Sequence, residues 1–395
     1  MANNKQRVLI LGGGFGGVKA ALELADNPNF SVVLMSDQAN FRYYPSLYHT
    51  ATGGSQLASA IPLAEIFEGK NVEIIKNNAQ KLDRDNKKVK GASGKNYSYD
   101  NLIIALGVMT NYFHIKGLDK YSYGIKTLEE VVELKAHLHK LILDEGKPDL
   151  NYIIIGGGAT GVELAGALPS YINKIMANHG IKSKKVHIDL VEALPRLMPK
   201  MSKHYSRALQ KRLRKLGVKL YLGQMVKAET ADNLVVSDHS LKSHTVVWTA
   251  GVTNNPFLAA NKFILTDQGK AQVNEYLMAE DNIYVIGDNA ETAYSGMAQT
   301  ALHDAKTVTG NLKRLARGEE PLLYEPRLPV YITPAGPGWA AVQWGNLEIY
   351  GWLGWLLRNA ADAIGYHDLE PWWKASKHWL AQTETEETCA ICKDL

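Results

Sequence analysis

The chain has 395 residues, of which 46% are hydrophobic and 21% charged. That length exceeds one ordinary core and predicts two or three domains, and the composition excludes fibrous, disordered and disulfide-scaffold classes. With 44 basic against 40 acidic residues the net charge is only +4, so nucleic acid is not a predicted partner.

The polar Ala2-Asn3-Asn4-Lys5 runs straight into an apolar strand, which predicts no signal peptide. No apolar run approaches the about 20 residues needed to span a bilayer. Val8 to Leu11 reads as a strand, Gly12 to Gly17 as a turn, Val18 to Leu24 as a helix and Ser31 to Met35 as the next strand. The pattern returns 144 residues later. Tyr152 to Ile155 is a strand, Gly156 to Gly161 a turn, Val162 to Leu168 a helix and His187 to Glu192 a strand. Asn282 to Asp288 is a further strand ending in Gly-Asp, followed by a helix-like stretch from Met297 to Ala316. It reads as the chain returning to its first domain. The expected domains are 1–114 with 252–330, 115–251, and a tail over 331–395. The tail holds seven of the eight tryptophans.

Both turns fit G-x-G-x-x-G, at Gly12, Gly14 and Gly17 and at Gly156, Gly158 and Gly161. The first glycine permits the tight turn. The second lets a pyrophosphate approach the backbone, and the third lets helix and strand pack closely. The phosphates then meet the free N–H groups of a helix N-terminus. The fold class expected is α/β, with two Rossmann-like dinucleotide-binding domains and a C-terminal membrane-associating module. Glu192 ends the strand after the second turn, 31 residues beyond Gly161. An acid there accepts from a ribose 2′-OH and repels a 2′-phosphate, so this site should prefer NADH. In the first unit Ser36 holds the equivalent place, 19 residues after Gly17, with Asp37 next to it. Plain structural readings stand beside these. Glu163 is an acid in the first turns of a helix, favoured by the dipole anyway. Asp288 suits a helix N-cap. Gln299 and His303, at i and i+4, suit a solvated face.

The run Gly156-Gly157-Gly158-Ala159-Thr160-Gly161-Val162-Glu163-Leu164-Ala165-Gly166 resembles a motif of the type II NADH dehydrogenases, the single-chain NADH:quinone oxidoreductases. So do Glu192 to Leu197, Trp248 to Val252, Ile286-Gly287-Asp288 and Ala298-Gln299. The resemblance implies non-covalent FAD in the first domain, NADH as co-substrate in the second, and hydride transfer to the flavin. It implies that Gly12, Gly14 and Gly17, with Phe15 and Gly16 between them, cradle the FAD pyrophosphate. Asp288 would then bond the ribityl chain. Ala105-Leu106-Gly107 matches the family's Ala-Thr-Gly crossover, with Leu106 in place of Thr. Tyr43-Tyr44-Pro45 resembles the stretch beside the isoalloxazine ring. Thr160, Ala250 and Gly251 join the NADH site, and Glu163 matches the glutamate between nicotinamide and flavin. Ala298 and Gln299 match the start of the quinone motif Ala-Gln-x-Ala-x-Gln, whose second glutamine is His303 here. Glu163, Gln299 and His303 are therefore the candidate catalytic residues.

The tail carries Tyr350 to Arg358 and Pro371 to Leu380, aromatic stretches with Lys374 and Lys377 able to meet lipid phosphates. They suit peripheral seating on the cytoplasmic face of the cell membrane, or a homodimer interface or cap. The only cysteines, Cys389 and Cys392, form one C-x-x-C. That is too few ligands for zinc, and no metal is expected. Sulfide:quinone and disulfide reductases, which need cysteines beside the flavin, are disfavoured. An NADH oxidase that uses O₂ and a slow-turnover flavin sensor or scaffold are the alternatives.

Overall fold

The computed structural model describes residues 5–144, 149–181 and 184–385. Gln6–Leu11 is a strand whose last four residues are fully buried. Buried on both faces, it belongs at the centre of a parallel sheet. It pairs in parallel with Phe30–Ser36 on one side and Asn101–Ile104 on the other. The spatial order of this six-stranded sheet is Met278–Glu280, Ile283–Val285, Asn101–Ile104, Gln6–Leu11, Phe30–Ser36 and Val72–Lys76. The late strands therefore sit in the same sheet as the first one. The Phe15–Leu24 helix lies on one face beside the Ala298–Leu315 helix. That helix starts ten residues after Asp288, past a loop.

A second sheet repeats the design. Val218–Leu222, Lys185–Glu192, Asp149–Ile155 and Thr245–Trp248 lie side by side, all parallel. The Ala159–Asn178 helix follows its glycine turn. The chain passes between the two sheets at Val108–Thr110 and again at Val252–Asn254, and these strands pair antiparallel.

The two glycine turns are geometric copies. Gly12 and Gly156 have φ of +111° and +115°, in the region glycine tolerates. A Cβ on Gly17 would stand 1.9 Å from the Gly12 carbonyl oxygen, and one on Gly161 would stand 1.9 Å from that of Gly156. Gly14 and Gly158 face open space. Both turns therefore leave their middle glycine clear for a ligand while the outer two close the backbone onto itself.

The tryptophan-rich tail forms a three-stranded antiparallel sheet from Tyr331–Pro334, Ala340–Trp344 and Leu347–Gly351, then the helices Trp352–His367 and Trp372–Leu380. It packs into both halves. Ala335 and Ala341 join the core around the second sheet, while Tyr366, Leu369 and Ala375 join the core of the first. Tyr366 is fully buried and stacks on Tyr43 with ring centroids 4.2 Å apart. Five of its tryptophans (344, 352, 355, 372 and 373) stay exposed. No helix among the described residues is long and apolar enough to cross a membrane. Cys389 and Cys392 lie outside the described residues.

Candidate active site

A cavity of about 1100 Å³ opens where the first glycine turn, the Ala159–Asn178 helix and the tail converge. Parallel strands end here, which is where α/β sheets place their ligands. Gly12, Gly14, Phe15 and Gly16 line it, with Ser36, Asp37, Tyr44, Pro45, Ala105, Gly107, Asp288, Ala298 and Gln299. Thr160 and Glu163 enter from the second half. Gly17 stands behind the turn, where its role is close packing.

The glycines of the second turn face elsewhere. Gly156, Gly158, Gly161, Glu192, Ala250 and Gly251 are not among the cavity-lining residues. Glu192 accepts from the Gly157 amide at 2.6 Å and the Leu194 amide at 2.7 Å, so its carboxylate is held over the glycine turn. Ala250 abuts the Gly156 backbone, and Gly251 packs against the Asn111 carbonyl, where a Cβ would stand at 2.3 Å.

Ser36 is buried and accepts from the Gln38 amide at 3.1 Å, while Asp37 is exposed at the cavity rim. Asp288 follows the Ile283–Val285 strand, and burial raises its carboxyl above the usual range while Lys126 and Lys270 oppose the rise. Gln299 holds the chain just ahead of the tail. Its Nε2 donates to the Val330 carbonyl at 3.0 Å and its Oε1 accepts from the Val330 amide at 3.1 Å. His303 does not line the cavity; its Nε2 contacts the Glu325 carbonyl at 2.8 Å. The shared helical face holds, but only its first member reaches the site.

Glu163 is the most perturbed carboxyl here. It is 8% exposed, and burial pushes it up to about 8, with Arg358 pulling down and Asp362 pushing up. At neutral pH it is held mostly protonated. Arg358 was legible only as the cation ending an aromatic stretch. The structure buries it instead: Nε donates to Asp362 Oδ2 at 2.7 Å and Nη2 to the Pro45 carbonyl at 2.7 Å. Tyr43 Oη donates to Asp362 Oδ1 at 2.9 Å. Lys126, also on the cavity wall, is a second cation that spacing could not reveal, because it reaches Asp288 only through the fold.

The glycine turn, the half-buried Asp288 and the long cavity suit a flavin dinucleotide. The middle glycine has room for a pyrophosphate, and the acid can accept from ribityl hydroxyls. The turn beneath Glu192 suits a second dinucleotide, with the acid placed for a ribose.

Comparison with known proteins agrees. The chain is 27% identical over 342 residues to the type II NADH:quinone oxidoreductase of Staphylococcus aureus, covering 81% of this chain and 85% of that one. Its fold matches NDH2 from Plasmodium falciparum, solved with NADH, at a TM-score of 0.84 and 17% identity over 96% of this chain and 97% of that one. It also matches the sulfide:quinone oxidoreductase of Aquifex aeolicus at a TM-score of 0.78 and 20% identity, covering 98% and 94%. The sequence pattern of pyridine nucleotide-disulphide oxidoreductases matches residues 6–305, a span without a cysteine. The chain therefore belongs to the pyridine nucleotide-disulphide oxidoreductase family.

Proposed function

We propose that the protein is an FAD-dependent oxidoreductase that takes a hydride from NADH and passes electrons to a membrane quinone without pumping protons. The observation that carries this is one cavity shared by the first glycine turn, Glu163 and Gln299, in a chain similar to a named NADH:quinone oxidoreductase. Bound FAD would supply two-electron exchange between the two substrates. Gly12, Gly14, Asp288 and the backbone at Ala105 and Gly107 hold it. Gly158, Thr160 and Glu192 bind NADH over the second turn. Glu163, largely buried and with its carboxyl pushed up to about 8, keeps a negative charge away from the hydride's path and offers a proton at its carboxyl. Gln299 uses one amide hydrogen on Val330, so its second remains for an acceptor carbonyl.

Apolar residues support entry from a bilayer. Trp344, Leu357 and Ile364 line the cavity and are also exposed, so one apolar surface runs from the outside into the site. It suits peripheral seating on the cytoplasmic face. The test is anaerobic. The purified protein should be yellow, release FAD on heating, bleach with NADH and recover colour on adding a soluble quinone. A colourless chain that cannot be reconstituted, or a reduced flavin that only O₂ reoxidises, overturns the reading.

A further inference from the structure

Three acceptor atoms converge below the tail with no hydrogen bond to satisfy them. Glu370 is 3% exposed and His378 0%. Both carboxylate oxygens of Glu370 and Nε2 of His378 lack a hydrogen-bond partner. His378 Nε2 stands 3.3 Å from Glu370 Oε2 and 3.5 Å from Glu65 Oε1. Glu65 comes from the Leu63–Ile66 helix. One ligand atom from each of Glu65, Glu370 and His378 lies within 4.8 Å of the other two.

The other imidazole nitrogen decides the chemistry. His378 Nδ1 lies 2.9 Å from the Leu57 carbonyl oxygen. A carbonyl only accepts, so Nδ1 carries the proton. Nε2 then points at two carboxylates and carries either a second proton or a lone pair for a metal ion. Such a group of acceptors is not stable in a buried place unless a proton or a metal ion stands between them. Lys374 does not serve: its Nζ turns to the Glu65 carbonyl at 3.0 Å and the Glu68 carboxylate at 2.6 Å. The separations favour a metal. A charge-assisted N–H···O⁻ bond is about 2.7–2.9 Å long. Two ligands held at about 2.0–2.1 Å around tetrahedral zinc stand about 3.3–3.4 Å apart. The observed 3.3 and 3.5 Å are the second kind of spacing.

We propose that Glu65, Glu370 and His378 form a zinc site, with water completing the tetrahedron on the part-exposed side of Glu65. One imidazole and two carboxylates are ligands that Zn²⁺ accepts, and the Leu57 carbonyl is the outer partner that fixes the imidazole tautomer. None of the three ligands lines the redox cavity. The ion ties the Trp372–Leu380 helix to the first half of the fold, and its role is to fasten the tail.

The test uses the full-length flavoprotein, stripped with a chelator and dialysed. Zinc alone is added in competition with a chromophoric chelator, and thermal unfolding is followed with and without it. One Zn²⁺ per chain should bind, with a rise in Tm of several degrees. Glu370→Gln and His378→Gln should each weaken binding by more than about tenfold, while His187→Gln on the exposed surface should not. If the variants fail to fold, Co²⁺ on the parent protein decides, read at wavelengths beyond the flavin: intense tetrahedral bands support the site and weak octahedral ones overturn it. The proposal also falls if the parent binds no stoichiometric zinc, if its Tm is indifferent to zinc and chelator alike, as for a simple protonated pair, or if both variants bind as tightly as the parent.

Discussion

Arg358 Nη1, on a tail helix, lies 3.9 Å from Glu163 Oε1, on the helix after the second glycine turn. The two halves of the fold and the tail thus meet at one carboxyl. Arg358 is held by Asp362 and the Pro45 carbonyl, and the side chains of Arg358 and Glu163 are both largely buried in the cavity wall. The contact is too long for a hydrogen bond, which is why burial still outweighs the cation and Glu163 rises.

Replacing Arg358 by Leu should be costly. Asp362 and Glu163 would then lie buried near an apolar side chain. Breaking a buried pair from one side costs about 3–5 kcal/mol. The urea midpoint of Arg358→Leu should fall accordingly, and Arg358→Lys should recover part of it. A midpoint equal to the parent's would show that the tail does not depend on this cation.

Glu163 predicts a pH dependence of stability with a definite sign. Its carboxyl sits near 4.5 when unperturbed and at about 8 when folded. Between those values the unfolded chain has released a proton that the native chain keeps. The stabilisation from this group is full below about 4.5, is lost as pH rises, and is gone above about 8. Glu163→Gln, which never ionises, should therefore gain on the parent as pH rises. The gap should be on the order of a few kcal/mol by pH 9. Denaturant midpoints of both proteins from pH 5 to pH 9 measure it, and parallel curves would contradict it.

Glu192 should set the nicotinamide preference. Its carboxylate is fastened by two amides over the second turn, and a 2′-phosphate brought there would meet like charge. Glu192→Gln should narrow the NADH-over-NADPH ratio in kcat/KM by about tenfold, equivalent to roughly 1.4 kcal/mol. A parent that already uses NADPH equally well would remove the role.

Gln299 and His303 should now separate. Gln299→Leu loses both bonds to Val330 and the free amide hydrogen, so quinone turnover should drop by about tenfold or more, with rapid flavin reduction by NADH kept. His303→Leu loses contacts to the Glu325 carbonyl and the Tyr324 ring, both outside the cavity lining, and should lower turnover less. Stopped-flow measurement of each half-reaction distinguishes them, and a larger effect at His303 would reverse the assignment.

Membrane seating should be tested by substitution and not by truncation. Cutting the tail removes Tyr366, Leu369 and Ala375 from the first core. Changing Trp352, Leu353 and Trp373, all more than half exposed, to Ser should instead cut liposome flotation several-fold and leave Tm nearly unchanged. Unaltered flotation, or a shift from dimer to monomer without loss of flotation, would assign this face to a second copy of the chain.

The sequence by itself determined the two nucleotide turns, because each role in G-x-G-x-x-G is a local constraint. A positive φ at Gly12 and Gly156, and backbone contact at Gly17 and Gly161, need nothing from the rest of the chain. The parallel strands were legible for the same reason, since their apolar runs are continuous. Resemblance also singled out Asp288 and Gln299, and both line the cavity. Only the tertiary structure decided the rest. Lys374 read as a lipid-facing cation, and Arg358 only as the cation ending an aromatic stretch, because the sequence shows neither partner. Arg358 is buried against the Pro45 carbonyl and Lys374 pairs with Glu68, both from residues about 300 positions away. Gln299 reaches the cavity and His303 does not, because a shared helical face says nothing about where the cavity ends. Glu370 and His378 stand eight residues apart in the tail, but Glu65 joins them only because the tail folds back across the first half of the molecule.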